Sequence, residues 1–155
     1  MLGAEAIAQA LVTGTFLGVG PGTSAKVAET LLGDHVRQLH GSKPHRYLRL
    51  DFGLVEVTFG GEPDWECRWL AVHTHRLAEM PGLAGECAAR FGLEFPGPVT
   101  WGQLTPAVGD SAVAVDQSPY GARYRIPAVS ATVHLSADAG GGELGRVVEK
   151  IMIGA

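Results

Sequence analysis

The sequence contains only two cysteines, Cys67 and Cys87, in 155 residues. Two cysteines are too few for the disulfide framework of a small secreted domain, so we expect both thiols to be reduced and buried. The sequence also permits a single bridge between them. No run reaches the roughly 18 apolar residues of a membrane span, and Glu5 and Gln9 interrupt the apolar opening segment. We therefore expect no signal peptide, no membrane association and a cytoplasmic location.

A basic surplus is absent as well. The formal net charge is −4 and the isoelectric point is about 5.8. Nucleic-acid binding usually requires a clustered basic face, so we expect no nucleic-acid partner, whereas a basic protein partner is compatible with this charge. Hydrophobic residues at 46% and charged residues at 18% are typical of a globular chain, here one compact domain.

Motifs of known catalytic or cofactor chemistry are also missing. The glycine-rich segment 18–22 precedes a predicted helix but lacks the Lys-Ser/Thr pair of a phosphate-binding loop. His73 and His75 lie two apart on a predicted strand, and Cys67 has the same parity, so a metal site is the alternative interpretation. No further ligand pair at metal spacing accompanies them. We predict no catalytic residue, no cofactor and no metal.

The two halves of the chain carry similar features in the same order. Each half has two short helical segments, ended by glycine, and then three strand-like runs, at 46–51, 54–59 and 67–75 in the first half and at 122–127, 129–135 and 146–153 in the second. An offset of 77 places Thr23 on Thr100 and Arg46-Tyr47 on Arg123-Tyr124. We predict two tandem α-α-β-β-β repeats, residues 1–80 and 81–155.

Strand alternation assigns residues to the two faces of the predicted sheets, because successive side chains of a strand point to opposite sides. One parity is apolar and should face the core: Val55, Val57, Phe59, Leu70, Val72, Ala131, Val133, Leu135, Val147, Ile151 and Ile153. The opposite parity contains Glu56, Thr58, Trp69, His73, His75, Thr132, His134, Arg146, Lys150 and Met152. We predict an α+β fold with antiparallel sheets, helices on one face and an open concave face on the other.

Three segments of the first half resemble a known repeat. GVGPGTS at 18–24, LLGD at 31–34 and YLRLDFGLVEVTF at 47–59 are similar to the unit of beta-lactamase inhibitory proteins and small lipoprotein-A-type proteins. The resemblance implies a helix pair on a short antiparallel sheet in each unit, and joined sheets whose concave surface clamps a partner enzyme. The chain also resembles small cytosolic immunity proteins of bacterial toxin systems. It lacks the paired cysteines of the secreted inhibitors, which favours an intracellular target.

These observations lead to a function hypothesis. We predict a non-enzymatic inhibitor or immunity protein that occludes a protein partner, such as a basic toxin domain with nuclease or deaminase activity. The predicted partner-binding residues are aromatic, acidic or histidine side chains: Glu56, Asp64, Trp65, Glu66, Trp69, His73 and His75. Trp69 has a second interpretation, packing across the junction of the two sheets. The alternatives from other classes are a small ligand-binding protein or enzyme that uses the sheet concavity, and an assembly adaptor.

Overall fold

The computed structural model describes residues 1–154, which contain five α-helices, eight strands and three short 3₁₀ turns. The helices are α1 (Gly3–Thr13), α2 (Ala25–Leu32), α3 (Arg76–Glu79), α4 (Leu83–Phe91) and α5 (Trp101–Val108). The strands are β1 (Val36–His40), β2 (Tyr47–Asp51), β3 (Val55–Gly60), β4 (Glu66–Val72), β5 (Val113–Ser118), β6 (Gly121–Ile126), β7 (Ala131–Leu135) and β8 (Val148–Gly154). The prediction of an α+β fold with antiparallel strand pairing is confirmed.

All eight strands form one antiparallel sheet in the order β1-β2-β3-β4-β8-β7-β6-β5. The last strands of the two halves pair at its centre, where Leu70 faces Ile153 and Val72 faces Ile151. The prediction of three strands in each half is wrong, because β1 and β5 add a strand at each edge of the sheet. Almost every residue of these two strands is exposed, so neither has the alternating pattern that marks a half-buried strand.

Capping groups define the longer helices as the sequence indicates. The Ser24 side chain accepts a hydrogen bond from the Val27 backbone N–H (3.2 Å) at the start of α2. At the start of α5, the Gln103 side chain accepts one from the Thr100 N–H (2.9 Å). Gly14 ends α1 with φ of 79°, a left-handed conformation that glycine adopts without steric cost. The strand predicted to run to residue 75 ends at Val72, and His75 instead precedes α3.

The hydrophobic core joins one set of sheet residues to α1, α2, α4 and α5. It contains Ile7, Leu11, Leu32, Cys87 and Leu104 from the helices together with Val57, Leu70, Val133 and Ile151 from the strands. The residues predicted to face the core are buried, except that Val147 is half-buried and lies just before β8. Two residues of the opposite parity, Thr58 and Arg146, are also buried, contrary to prediction.

The burial of these two residues has local causes. Thr58 lies on the central part of the sheet, with Arg49 and Trp69 directly opposite it on the two neighbouring strands. Arg146 precedes β8, and its guanidinium donates to the Ser118 carbonyl and lies 3.3 Å from the Glu143 carboxylate. Both cysteines are free thiols within the core. Among residues 1–154, no helix has the length and apolar character that crossing a membrane requires.

Candidate functional site

The sheet residues opposite the core set form cross-strand rows that the strand register defines. One row runs from Asp51 on β2 through Glu56, Ala71, Met152 and Thr132 to Arg125 on β6. We call this surface the polar face, and its principal members are Arg49, Asp51, Glu56, Thr58, Trp69, His73, Arg123, Arg125, Thr132, His134, Lys150 and Met152. Charged and polar groups dominate these members, among which Trp69 and Met152 are the large apolar ones, and Val36 and Val113 add exposed apolar side chains at the two edges of the face.

The carboxylates at the β2–β3 end of the polar face belong to an ion-pair network. The Glu56 carboxylate lies 3.5 Å from Arg49 Nε and 3.6 Å from an Arg76 guanidinium nitrogen. Asp51 accepts hydrogen bonds from Arg76 at 3.0 and 3.1 Å. Arg76 also donates to the Gly53 carbonyl at 2.7 Å. Glu56 is therefore already neutralised within the chain, and it contributes little net charge for attracting a basic partner.

His73 lies next to this network and is mostly shielded from water. Its side chain is 14% exposed, and neither ring nitrogen has a hydrogen-bond partner in residues 1–154. Nε2 lies 3.9 Å from Glu56 Oε1, beyond hydrogen-bond distance. Burial lowers the pKa of His73 to about 4, and the positive charges of Arg76 and Lys150 act in the same direction. His73 is therefore a neutral imidazole at pH 7.

His75 is close to His73 but is held by β8 rather than by β4. Its backbone N–H donates to the Glu149 carbonyl at 2.9 Å, and its Nδ1 lies 2.8 Å from the same oxygen. The Nδ1–H tautomer makes this second hydrogen bond. The two imidazole rings meet edge to face, with centroids 5.4 Å apart. The predicted proximity of His73 and His75 is thus observed, although they do not share a strand.

Cys67 does not share the face of His73, contrary to prediction. Thr58 pairs with Trp69 and Phe59 pairs with Cys67, so Arg68 forms a β-bulge between them. The extra residue reverses the parity of β4, and the Cys67 thiol lies in the core with Phe59. Burial raises the pKa of Cys67 to about 12. In residues 1–154, no group of three or more histidine, cysteine, aspartate or glutamate side chains is arranged to hold a metal ion.

The other predicted site residues lie in two places, Trp69 within β4 and the remaining three at the β3–β4 turn and the start of β4. Trp69 is half-buried on the polar face, opposite Thr58 on β3 and Gly154 on β8. Asp64 and Glu66 are exposed at the β3–β4 turn, and Glu66 lies about 10 Å along the strand from Trp69. Trp65 packs against the core, and its carbonyl accepts a hydrogen bond from the Ala25 N–H at 2.9 Å.

Residues that were not predicted as site residues complete the polar face. Lys150 on β8 pairs directly with His134 on β7, and both line a recess of about 380 Å³ with His73, His75, Arg76, Glu79 and Glu149. Burial lowers the pKa of His134, and Lys150 and Arg123 lower it further. Strand parity predicts that His134 and Lys150 lie on this face. Their proximity to His73 depends on the pairing of β4 with β8, which local sequence patterns do not reveal.

A second cavity, of about 360 Å³, lies beside α3 on the other side of His75. Its lining is mainly apolar and includes Leu77, Phe95, Val99 and Val147. Thr74, also in the lining, donates its hydroxyl hydrogen to the Val148 carbonyl. This cavity has the lining of a small apolar ligand site rather than that of a catalytic centre.

The polar face and the two cavities are the features from which function can be argued. Comparisons with protein-family models, with curated proteins and with solved structures found no match to this chain.

Proposed function

We propose that this chain is a non-enzymatic inhibitor or immunity protein that binds a protein partner through its polar face and occludes the partner's active site. The observation that carries the proposal is the position of Trp69, half-buried at the junction of β4 and β8 on a face whose other members are mostly charged or polar. Protein interfaces combine an aromatic centre with a polar rim, and tryptophan is enriched among the residues that dominate binding energy.

The proposal includes a tandem arrangement of two similar units, residues 1–80 and 81–155. The strand order supports it, because each half contributes four consecutive strands and the halves meet through their last strands. Matching backbone hydrogen bonds support it too. Ala25 N–H donates to the Trp65 carbonyl in the first half, and Trp101 N–H donates to the Arg146 carbonyl in the second, both at 2.9 Å. Each bond ties a helix N-terminus to the segment that begins the last strand.

The same arrangement gives the polar face its proposed shape. Antiparallel strands twist relative to their neighbours, so a sheet of eight strands curves over its length. With the helices packed on the core side, we propose that the polar face is the concave side and encloses a convex part of the partner. A concave sheet surface with few apolar groups suits a protein partner better than a small apolar ligand.

The partner that we propose is an intracellular toxin domain with a basic active-site cleft, such as a nuclease or a deaminase. The exposed carboxylates of Asp64 and Glu66 support this choice, because neither has an ion-pair partner in residues 1–154. Charges at the rim of an interface mainly accelerate encounter with an oppositely charged partner. Glu56 adds little to this attraction because Arg49 and Arg76 neutralise it.

A second candidate function is the binding of a small apolar molecule in the cavity beside α3. The lining by Leu77, Phe95 and Val99 favours it. The two functions differ in their dependence on the polar face. Enlarging the side chain at Ala84, which lines the cavity, should block a small ligand and leave binding of a protein partner unchanged.

The test is a calorimetric titration against the purified product of a toxin-like gene adjacent to the one encoding this chain. Trp69→Ala should cost about 2 kcal/mol or more, roughly a 30-fold loss of affinity. The double change Asp64→Lys with Glu66→Lys should mainly slow association. Val27→Ala, at an exposed position on α2, is the matched control and should have no effect.

Thermal melts of each variant separate binding from folding. Affinity that is unchanged by Trp69→Ala in a folded protein would exclude the polar face as the interface. Unfolding by Trp69→Ala would instead assign Trp69 to the structural junction of β4 and β8, and the Asp64 and Glu66 variants would then carry the test.

A further inference from the structure

Nitrogen-bearing side chains form one cross-strand row on the polar face. Arg123 on β6 faces His134 on β7, which in turn faces Lys150 on β8. Val72 faces Ile151 at the end of the β4–β8 ladder, so His73, the next residue, lies level with Lys150 on the other side. Directly opposed side chains of an antiparallel pair have Cβ atoms about 5 Å apart. Lys150 is therefore flanked by an imidazole on each side.

Among the cations named for the polar face, Lys150 and Arg125 have no counterion within residues 1–154, and of these two only Lys150 is half-buried. Arg76 pairs with Asp51, Arg49 with Glu56, and Arg123 with Asp116. The ammonium group of Lys150 makes no ion pair and no side-chain hydrogen bond within residues 1–154, although the residue is half-buried. Glu79 and Glu149 also line the recess and are exposed. Glu79 lies 4.0 Å from His75 Nε2.

The two imidazoles complete the set of groups that an anion would need. Both are shielded from water, and both have a pKa below the ordinary value of 6.5, so they are neutral at pH 7. A neutral imidazole offers one N–H donor, and both ring nitrogens of His73 are buried without a partner. A buried polar group left without a hydrogen bond costs about 1 to 3 kcal/mol. An oxyanion in the recess would accept hydrogen bonds from Lys150 and from the His134 N–H, because the ring nitrogens of His134 are accessible whereas those of His73 are closed off by the surrounding side chains.

We propose that the recess between His73, Lys150 and His134 is a carboxylate-binding site, and that an aspartate or glutamate of the protein partner occupies it. The site rests on the proposed function, because it supplies the contact by which the polar face would fix a partner in register. The recess of about 380 Å³ is large enough for such a side chain. The single charge of Lys150 matches one carboxylate, whereas a phosphate dianion would bring a second negative charge next to Glu79 and Glu149, which also line the recess.

The site can be tested before the partner is known. Histidine ring resonances are followed by NMR while the protein is titrated with a capped tetraglutamate peptide, with inorganic phosphate, or with sodium chloride at equal ionic strength. The peptide should shift the His73 and His134 resonances saturably and raise the pKa of His134. Lys150→Met should abolish these shifts, and Lys26→Met, at an exposed position on α2, should preserve them.

Each other outcome overturns the assignment. Equal shifts with peptide and chloride would mean nonspecific screening. Saturation by phosphate at lower concentration than by peptide would identify a phosphate site instead. Peptide shifts that persist in Lys150→Met would place the peptide elsewhere on the protein.

A titration with the toxin-like partner separates this site from the proposed function. Lys150→Met should weaken the complex by about tenfold or more, as expected for truncating one member of a desolvated charge pair. If the peptide binds through Lys150 but the partner does not bind at all, the proposed function fails and the site stands. If the partner binds through Trp69 and Lys150→Met changes neither titration, the carboxylate site fails and the function stands.

Discussion

The buried imidazole of His73 should make the stability of this protein depend on pH in a way that one substitution removes. In the folded protein, burial and the charges of Arg76 and Lys150 hold the pKa of His73 at about 4, against 6.5 in an unfolded chain. Between these values the unfolded state binds a proton that the folded state does not. The free energy of unfolding therefore falls as the pH drops below 6.5, and the loss is complete near pH 4.

The size of the effect follows from the two pKa values. The interval from 6.5 to about 4 corresponds to roughly 3 kcal/mol, and residual solvent contact of the 14% exposed side chain reduces this to about 2 kcal/mol. His73→Leu removes the titrating group and keeps an apolar volume. Relative to the variant, the wild-type protein should lose about 2 kcal/mol between pH 7.5 and pH 4.5.

Urea denaturation of both proteins at pH 7.5, 6.0 and 4.5 measures this difference directly. The carboxylates and the other histidines titrate in both proteins, so their contributions cancel unless they couple to His73. The remaining titratable groups around it are Asp51, Glu56, His75, Glu79, His134 and Glu149. Repeating the series in Glu56→Gln and in His134→Gln tests that coupling. His45→Leu, in the exposed β1–β2 loop, is the control. A difference between wild type and His73→Leu that is constant across this range would refute the reasoning.

Three further predictions concern buried groups. Gly3→Ala should destabilise the protein by about 1 to 3 kcal/mol, because the added Cβ would lie 2.0 Å from the Phe95 ring. The control is Gly85→Ala in α4, where the added Cβ meets no atom, and this change should stabilise the protein by about 0.5 to 1 kcal/mol. Burial raises the pKa of the Cys87 thiol to about 11. A thiol reagent at pH 8 should therefore react with Cys87 only as fast as the protein unfolds, and immediate labelling of the folded protein would contradict this. Arg146→Met should cost about 2 kcal/mol in denaturation experiments, because it removes the guanidinium that donates to the Ser118 carbonyl and pairs with the Glu143 carboxylate, which then keeps only its hydrogen bond from the Tyr124 hydroxyl. An unchanged midpoint would show that water replaces the guanidinium.

The sequence predicts the central strands well because burial there leaves a clear pattern. Val55, Val57 and Phe59 alternate with polar residues, and each lies in the core as expected. The edge strands β1 and β5 give no such signal, because a strand exposed on both faces needs no apolar parity. The bulge at Arg68 gives no signal in the sequence either. It inserts one residue into β4 and moves Cys67 from the face of Trp69 to the core.

For the candidate site, too, the sequence predicts some features and not others. Parity alone assigned Glu56, Trp69 and His73 to one surface, since they lie on strands that are adjacent in sequence. The environment of each residue depends on contacts between distant segments. Arg76 reaches back from α3 to Asp51 and Glu56, and Lys150 meets His73 only because β8 pairs with β4. Local sequence patterns do not reveal strand order, so they cannot predict these neighbours. For this reason the sequence alone predicts that Glu56 is a free acidic group.

A single sequence offset does not align the two units that we propose, because different strand pairs give different offsets. If the pair Val57–Leu70 is matched to the pair Val133–Ile151, β3 and β7 are related by an offset of 76 residues. Leu50 faces Val57 as Tyr124 faces Val133, so the second strands differ by 74 residues. The match of Arg46-Tyr47 to Arg123-Tyr124 therefore joins positions that are not equivalent in the sheet. Indeed, Tyr124 stacks on Trp101 with ring centroids 4.6 Å apart, whereas Tyr47 pairs with His40 at the opposite edge. Loops of unequal length would shift the offset from strand to strand, so the repeat that we propose would be visible in strand order and hydrogen bonding rather than in residue identity.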